Sequence, residues 1–188
     1  KETKLSTINW SGNRYAKRPP VIHVAGNGNI YYSDYVNDVL TIKSISDEGL
    51  NEKEIIKFPH ATRAVISPDM QWVAFREYHR SYVTPFEFAG KTYSVSAEDG
   101  LGFSQRVDSQ NDGDFMRWSK DSKRLLWTRG KYHYEKSLNA ILDKKSKVTK
   151  TDLSIAYEVD NPGSVVVFKN VRVLTMNQDK DILEGVTI

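Results

Sequence analysis

The fold is decided by the stretch VISPDMQWVAF, residues 65–75, and its counterpart RWSKDSKRLLWT, residues 117–128. In both, an apolar residue precedes a serine, a polar turn with an aspartate follows, and a run rich in aromatic and branched side chains comes next. Proline presets its own φ and aspartate oxygens hydrogen-bond the turn backbone, so each segment predicts a hairpin turn between two strands. The two serines and aspartates are therefore predicted to build turns.

The same pattern repeats along the chain. Ser67 and Ser119 stand 52 residues apart, and a looser copy at residues 9–12 places Ser11 56 residues before Ser67. A repeat of this length made of short strands indicates a β-propeller, in which each repeat forms one blade. Other strands are predicted from two-residue alternation and β-branched or aromatic residues. They cover residues 29–35, 39–46, 54–58, 81–86, 92–96, 131–137 and 147–153.

The predicted fold is all-β, an incomplete propeller of about three four-stranded blades over residues 1–160. Residues 135–142 have helical spacing but are predicted to be a strand that ends in a turn. The turn signal at residues 160–163 separates a different unit, residues 161–188, with strands at 164–168, 171–174 and 185–188. Propellers close a ring of 4 to 8 blades, so three blades are expected to leave open sheet edges and an uncovered core.

Composition narrows the function classes. The chain has 188 residues, a net charge of +3 and no cysteine, which excludes disulfides, thiolate metal sites and cysteine nucleophiles. Its basic residues form no stripe or run that would follow phosphates, so nucleic acid is not expected as a partner. No apolar run reaches the roughly 18 residues of a membrane helix, so membrane insertion is not expected.

Two motifs suggest ligand chemistry and fit turns better. Residues 90–92 (GKT) resemble the end of a phosphate-binding loop, but Pro85 stands where the first glycine belongs and a strand follows where a helix is needed. Asp108, Asp112 and Asp114 suggest a calcium loop, but Ser119 stands where the loop requires glutamate. We predict a plain turn for the first motif and a solvated loop between blades for the second.

The best candidate binding residues lie near one strand end, where a propeller has its axial opening. Each histidine lies in or beside a predicted strand, and no acidic residue stands at a spacing from it that is typical of a catalytic pair. A structural role is therefore the simpler interpretation. The tryptophans at residues 72, 118 and 127 fall on repeat positions and are predicted to pack between blades. The candidate axial-face residues are Arg76, His79, Arg80 and Tyr82. No catalytic or metal-binding residue is predicted.

The segment 66–75 (ISPDMQWVAF) resembles the TolB-type repeat, written as an apolar residue followed by Ser-Pro-Asp-Gly and a strand. Met70 stands in place of the usual glycine. The order of residues 63–86, 112–128 and 163–188 is similar to bacterial proteins in which a TolB-like propeller precedes a metal-dependent amidohydrolase domain. In that family the last blade leads into a small β-sandwich whose first strands resemble residues 165–176.

This resemblance implies a parent hydrolase of C–N bonds, with a zinc-like divalent metal held by a His-x-His pair on a β/α barrel. No two of His23, His60, His79 and His133 are separated by one residue, so these ligands cannot be placed here. The resemblance implies that the sequence stops before that barrel and that no cofactor binds within it. It also implies a periplasmic or secreted protein, although composition alone leaves the cytoplasm open.

Three function classes follow. The first is a non-catalytic propeller segment that supports the hydrolase domain or controls access to it. The second is a TolB-like module that binds protein or peptide. The third is an enzyme whose site the sequence does not reveal. The expected partners are the remaining blades and the barrel of the same parent, or another copy of the chain.

Overall fold

The structure is a computed structural model that describes residues 21–26, 28–87, 90–97, 104–108, 110, 112–145, 147–158, 163, 165–179 and 181–188. The chain forms two compact units, Lys1–Ser154 and Ile155–Ile188. The repeat copy at residues 9–12 and most of the predicted boundary at 160–163 lie outside the described residues. No helix in the described ranges is long and apolar enough to cross a membrane.

The first unit is built from three sheets that follow one another along the chain. The first sheet has the strand order β1-β2-β3-β4-β8, the second β5-β6-β7-β9 and the third β10-β11-β12-β13. All neighbouring strands are antiparallel except β4 and β8, which are parallel. The strands are β1 Ile22–Val24, β2 Asn29–Val36, β3 Val39–Ser46, β4 Lys53–Phe58, β5 Ala61–Ile66, β6 Trp72–Glu77, β7 Arg80–Pro85, β8 Tyr93–Ser94, β9 Gln105–Arg106, β10 Asp114–Trp118, β11 Arg124–Arg129, β12 Tyr132–Ser137 and β13 Thr149–Asp152.

The turns at residues 67–72 and 119–124 have the same hydrogen bonds, as the sequence predicts. In the first, Ser67 donates its hydroxyl to the Asp69 carboxylate, and the Trp72 N–H donates to Ser67 Oγ at 2.9 Å. The Gln71 N–H donates to the same carboxylate at 3.1 Å. The matching bonds of the second turn run from Ser119 Oγ to Asp121 (2.5 Å), from the Arg124 N–H to Ser119 Oγ (3.0 Å) and from the Lys123 N–H to Asp121 (3.2 Å).

The residue after the aspartate has a left-handed backbone conformation in both turns. Met70 has φ +61° and Ser122 has φ +60°, both in the left-handed region that side chains other than glycine occupy at a cost. Both residues also contribute contacts that glycine could not make. Met70 packs against the first core cluster, and Ser122 Oγ accepts a hydrogen bond from the Asp69 N–H at 2.9 Å. Both turns therefore form with a residue other than glycine at this position.

Neighbouring sheets pack through two apolar clusters. The first cluster lies between the first and second sheets and includes Tyr31, Phe58 and Phe75. The second lies between the second and third sheets and contains Trp118 and Trp127. Trp118 also donates its indole N–H to the Val65 carbonyl at 3.1 Å, which ties the first strand of the third sheet to the first strand of the second. These tryptophans and the partly buried Trp72 pack in the core, as predicted.

The turns of each sheet lie along two opposite edges, formed by the ends of its strands, because consecutive strands alternate in direction. The bond from the Asp69 N–H to Ser122 Oγ joins corresponding turns of the second and third sheets. We call the edge with the Ser67 and Ser119 turns the serine edge. The opposite edge, with the β2–β3, β6–β7 and β11–β12 turns, is called the histidine edge. The all-β arrangement of consecutive antiparallel sheets is compatible with a propeller region.

The outward face of the third sheet is polar. Leu125 and Trp127 point into the second core cluster, so Leu126 and its cross-strand partners Arg117 and Glu135 lie on the other face. An ion pair at 2.9 Å joins Glu135 to Arg124 on this face. On this face Leu126 lies among the charged side chains Arg117, Arg124 and Glu135.

The unit Ile155–Ile188 contains one two-stranded sheet, β14 Val171–Leu174 paired with β15 Ile182–Val186. The strand predicted at 164–168 is not formed by its described residues, although Phe168 and Ile188 exchange two backbone hydrogen bonds of 2.8 and 2.9 Å. β15 begins earlier than the predicted strand at 185–188 and overlaps it at residues 185 and 186. Many apolar side chains of this unit are exposed; they include Val165, Val166, Val167, Phe168, Leu174 and Met176.

Residues 135–142, predicted to be a strand that ends in a turn, include a short helix. β12 ends at Ser137, and a single helical turn, α1 Leu138–Leu142, follows it. The Ser137 side chain caps this helix by accepting a hydrogen bond from the Ala140 N–H at 3.2 Å, and Ile141 is buried in the second core cluster. The cap and one apolar anchor are enough to turn the chain where the sequence pattern favours a strand ending in a turn.

Candidate functional site: the histidine edge

The β6–β7 turn lies at the histidine edge and contains residues that do not suit its backbone conformation. Tyr78 and His79 have φ +44° and +66°, and the β2–β3 turn has nearly the same values, +50° and +64°, at Asn37 and Asp38. A two-residue turn with positive φ at both positions favours asparagine, aspartate and glycine. The β2–β3 turn meets this preference, whereas a bulky tyrosine at residue 78 is strained. Strain of this kind at an exposed aromatic residue points to a role other than forming the turn.

Tyr78 presents its ring to solvent. Its side chain is 66% exposed and is stacked on the His60 imidazole, with ring centroids 5.5 Å apart. His60 lies in the connection between β4 and β5, so the stack joins the first two sheets at their common edge. Together the two rings form an exposed aromatic platform at the histidine edge.

Arg76 lies beneath this turn and connects the second sheet to the third. One guanidinium nitrogen contacts the Asp114 carboxylate, and another lies 3.4 Å from Nδ1 of His79. The Arg76 side chain is only 12% exposed, so its charge is held largely inside the protein. The arginine therefore fixes the position of the turn and of the His79 ring.

The connection between β9 and β10 supplies the acidic partners. Asp112 accepts hydrogen bonds from the Ser81 N–H at 3.0 Å and from Arg106 at 2.8 Å. Asp108 is buried, with its carboxylate 3.8 Å from the buried Lys136 ammonium. These carboxylates face cations and N–H donors, so the solvated loop predicted from the sequence is instead a set of contacts that joins neighbouring sheets.

The four predicted site residues separate into two groups. Arg76 and His79 are brought together, and Arg80 is exposed beside them at the start of β7. Tyr82 instead stacks on Phe75, with ring centroids 5.4 Å apart, and packs against the first core cluster. Sequence reasoning did not identify Tyr78, His60 or Asp114 as part of this edge. The Tyr-His pair at a two-residue turn was a usable signal for Tyr78, whereas the other two depend on non-local contacts.

No cluster of three or more His, Asp or Glu side chains that could hold a metal ion occurs among the described residues. His23 lies on β1 with its ring tilted against Tyr31, and burial lowers the pKa of its imidazole. The neutral form of His23 is therefore favoured in the folded protein. The edge offers aromatic and cationic groups suited to binding, without a metal site in the described part of the chain.

Comparison with known proteins identifies no family. No protein-family model matches the chain, and no curated protein matches it. Among solved structures, a chain of a nidogen/laminin complex is 12% identical with a TM-score of 0.41, over 65% of this chain and 43% of that one. An acylaminoacyl peptidase of Pyrococcus horikoshii is 16% identical with a TM-score of 0.34, over 96% of this chain and 27% of that one. The chain thus spans less than half the length of either structure.

Proposed function

We propose that this chain is a non-catalytic propeller segment of a metal-dependent amidohydrolase, acting as a scaffold or as an access-controlling region beside the catalytic domain. The observation that carries the proposal is the pair of matching Ser/Asp turns, joined by the bond from the Asp69 N–H to Ser122 Oγ at 2.9 Å. Because these turns belong to the repeat that resembles the TolB type, they support consecutive blades.

A second support comes from the unit Ile155–Ile188. Its two strands follow the last of the three sheets, as the first strands of a sandwich would in the amidohydrolase family, and its valine-rich residues 165–167 are exposed. An exposed apolar surface of this kind is typical of a surface that another part of a protein covers. The TolB-like and amidohydrolase assignments, with an extracytoplasmic location, remain part of this proposal.

The reading frame and a hydrolase assay test the proposal together. We expect the coding sequence to continue past Ile188 into a strand carrying His-x-His. The longer protein should hydrolyse amide substrates when loaded with Zn²⁺, and residues 1–188 alone should not. A stop codon after Ile188, or zinc-dependent hydrolysis by residues 1–188, would overturn it.

The alternative is a peptide-binding module, and the exposed Tyr78 on its strained turn favours it. Peptides selected from a random displayed library on immobilised residues 1–188 would bind at the histidine edge if this function is correct. Tyr78→Ala should then abolish capture, whereas Tyr157→Ala, which removes a tyrosine that is 79% exposed elsewhere, should not. Equal loss in both variants, or no selectable peptide, would contradict this alternative.

A further inference from the structure

A polar cleft opens at the serine edge of the first sheet, away from the histidine edge. Its volume is about 870 Å³, and it lies between strands β2, β3 and β4 and the segment 90–92. Sites for small molecules commonly occupy ~300–1,000 Å³, so the cleft has room for a metabolite.

One side of the cleft is a cross-strand row of three residues. Tyr31 is the register partner of Ser44, and Ser44 is the register partner of Lys53, so their side chains point to the same face of the sheet. Tyr31 is buried and meets Phe86 edge-to-face, with ring centroids 6.1 Å apart. This aromatic contact gives the Tyr31–Ser44–Lys53 row a rigid base.

The segment 90–92 forms the opposite side and is tied to β4. The Thr92 hydroxyl donates to the Glu54 carbonyl at 2.8 Å, and the following residues pair with β4 as the parallel strand β8. Gly90 has φ +71°, which a larger residue would adopt only with strain, and it lets the chain turn into this position. Lys91 is thereby held at the cleft.

The cleft carries uncompensated positive charge. Lys53 and Lys91 line it, and neither makes an ion pair in the part of the chain that the structure describes. The Glu54 carboxylate, which also lies at the cleft, is paired with Lys57 at 2.8 Å. Two ammonium groups are thus available to an anion, with the polar side chains of Asn29 and Asn51 nearby.

We propose that this cleft binds a small organic anion, a phosphate monoester or a carboxylate, through Lys53 and Lys91. Lysine ammonium groups act as point charges for either anion. The amides of Asn29 and Asn51 and the Ser44 hydroxyl suit a polar ligand body. A phosphate-binding loop holds its ligand with N–H groups at the start of a helix, whereas the residues described after Thr92 form strand β8. Anion binding in this cleft would therefore depend on the lysine side chains.

The experiment titrates inorganic phosphate and, separately, succinate into residues 1–188 at low ionic strength, with binding followed by NMR shifts of the Gly90 and Lys91 amides. The variant is Lys53→Ala/Lys91→Ala, whose side chains are exposed, so folding should be retained. The matched control is Lys120→Ala/Lys123→Ala, which removes two charges in the Ser119 turn of the same edge. We expect saturable binding of at least one anion, and the tighter anion identifies the preferred head group.

The cleft variant should weaken that binding at least tenfold, while the control changes it less than twofold. Raising NaCl to 0.5 M should weaken binding by the unmodified chain, because screening reduces the attraction of an exposed site for an anion. The proposal is overturned if both anions fail to saturate. It is also overturned if the two double variants lose affinity equally, since that would indicate general surface charge.

Discussion

At the scale of single residues, left-handed backbone conformations separate positions that only form a turn from positions that carry a side chain for another purpose. Asn37 and Asp38 satisfy their turn, whereas Tyr78 at the equivalent position does not. Met70 and Ser122 lie between these two cases. Each has a left-handed φ that is unfavourable for its residue type, and each makes a contact that glycine could not make.

Tyr78→Asn should stabilise the protein. Asparagine tolerates φ +44° better than tyrosine, and a residue held in the left-handed region costs on the order of 1 kcal/mol, so we expect the free energy of unfolding to rise by about 1 kcal/mol in urea titrations. The reciprocal change Asn37→Tyr, in the matching turn, should lower it by a similar amount. A loss of stability in Tyr78→Asn would mean that the stack on His60 outweighs the backbone strain.

Asp121 should contribute to the acid dependence of stability. The Ser119 hydroxyl and then the Lys123 N–H donate to its carboxylate, and these bonds lower the pKa of Asp121 below its usual value of 3.8. The unfolded chain binds this proton more readily, so the contribution is present above pH 3.8 and is lost as the pH falls through the folded-state pKa.

Asp121→Asn should therefore reduce the free energy of unfolding at neutral pH, with the difference from the unmodified chain shrinking in strong acid. Urea titrations between about pH 2 and 7, an interval that includes the usual carboxylate pKa values, measure this difference in the free energy of unfolding. Glu48→Gln, which removes an exposed carboxylate in the β3–β4 connection, is the control. A difference that is constant over this range would contradict the assignment.

At the scale of elements, one hydrogen bond between the second and third sheets is a specific contact, separate from the burial of apolar surface. Trp118→Phe keeps an aromatic ring in the core but removes the indole N–H that donates to the Val65 carbonyl. We therefore expect the free energy of unfolding to fall by about 1–3 kcal/mol. Trp72→Phe is the control, because the Trp72 indole makes no hydrogen bond within the described ranges. Urea midpoints of the two variants compare them, and equal losses would show that packing alone accounts for the effect.

Much of the element pattern follows from local sequence. The strands around the Ser67 and Ser119 turns and the paired strands 29–35 and 39–46 were predictable because alternation and turn chemistry act over a few residues. Strand β8 was predicted but shortened to Tyr93–Ser94, and its parallel pairing with β4 could not be inferred, since its partner lies far away in sequence. The short helix α1 depends on Ser137 as a cap, a signal that competes with the preceding strand pattern.

The candidate site was predictable only in part, for the same reason. Arg76, His79 and Arg80 are close in sequence, so their proximity is local. The contact of Arg76 with Asp114 spans 38 residues and depends on how two sheets pack. Tyr82 was predicted on the same surface but faces the core, because its position on β7 places it beside Phe75.

At the scale of the whole molecule, the two faces of the third sheet should differ in how much their apolar side chains stabilise the fold, because one face is buried and the other is polar. Leu125→Ala should lower the free energy of unfolding by about 2–5 kcal/mol, because it opens a cavity in the buried second core cluster. Leu126→Ala, the same change one residue later, should cost about 1 kcal/mol or less. Urea denaturation of both variants tests this. Equal costs would indicate that another layer covers the outward face.

The parallel strand β8 has a consequence for how the repeats can be exchanged. After β7 the chain leaves the second sheet, adds β8 to the free edge of the first, and returns to complete the second sheet with β9. The chain from β7 to β9 therefore contributes strands to both of the first two sheets. A recombination event that transferred residues 61–106 alone would remove strand β8 from the first sheet, so the smallest segment that can be exchanged intact comprises both sheets.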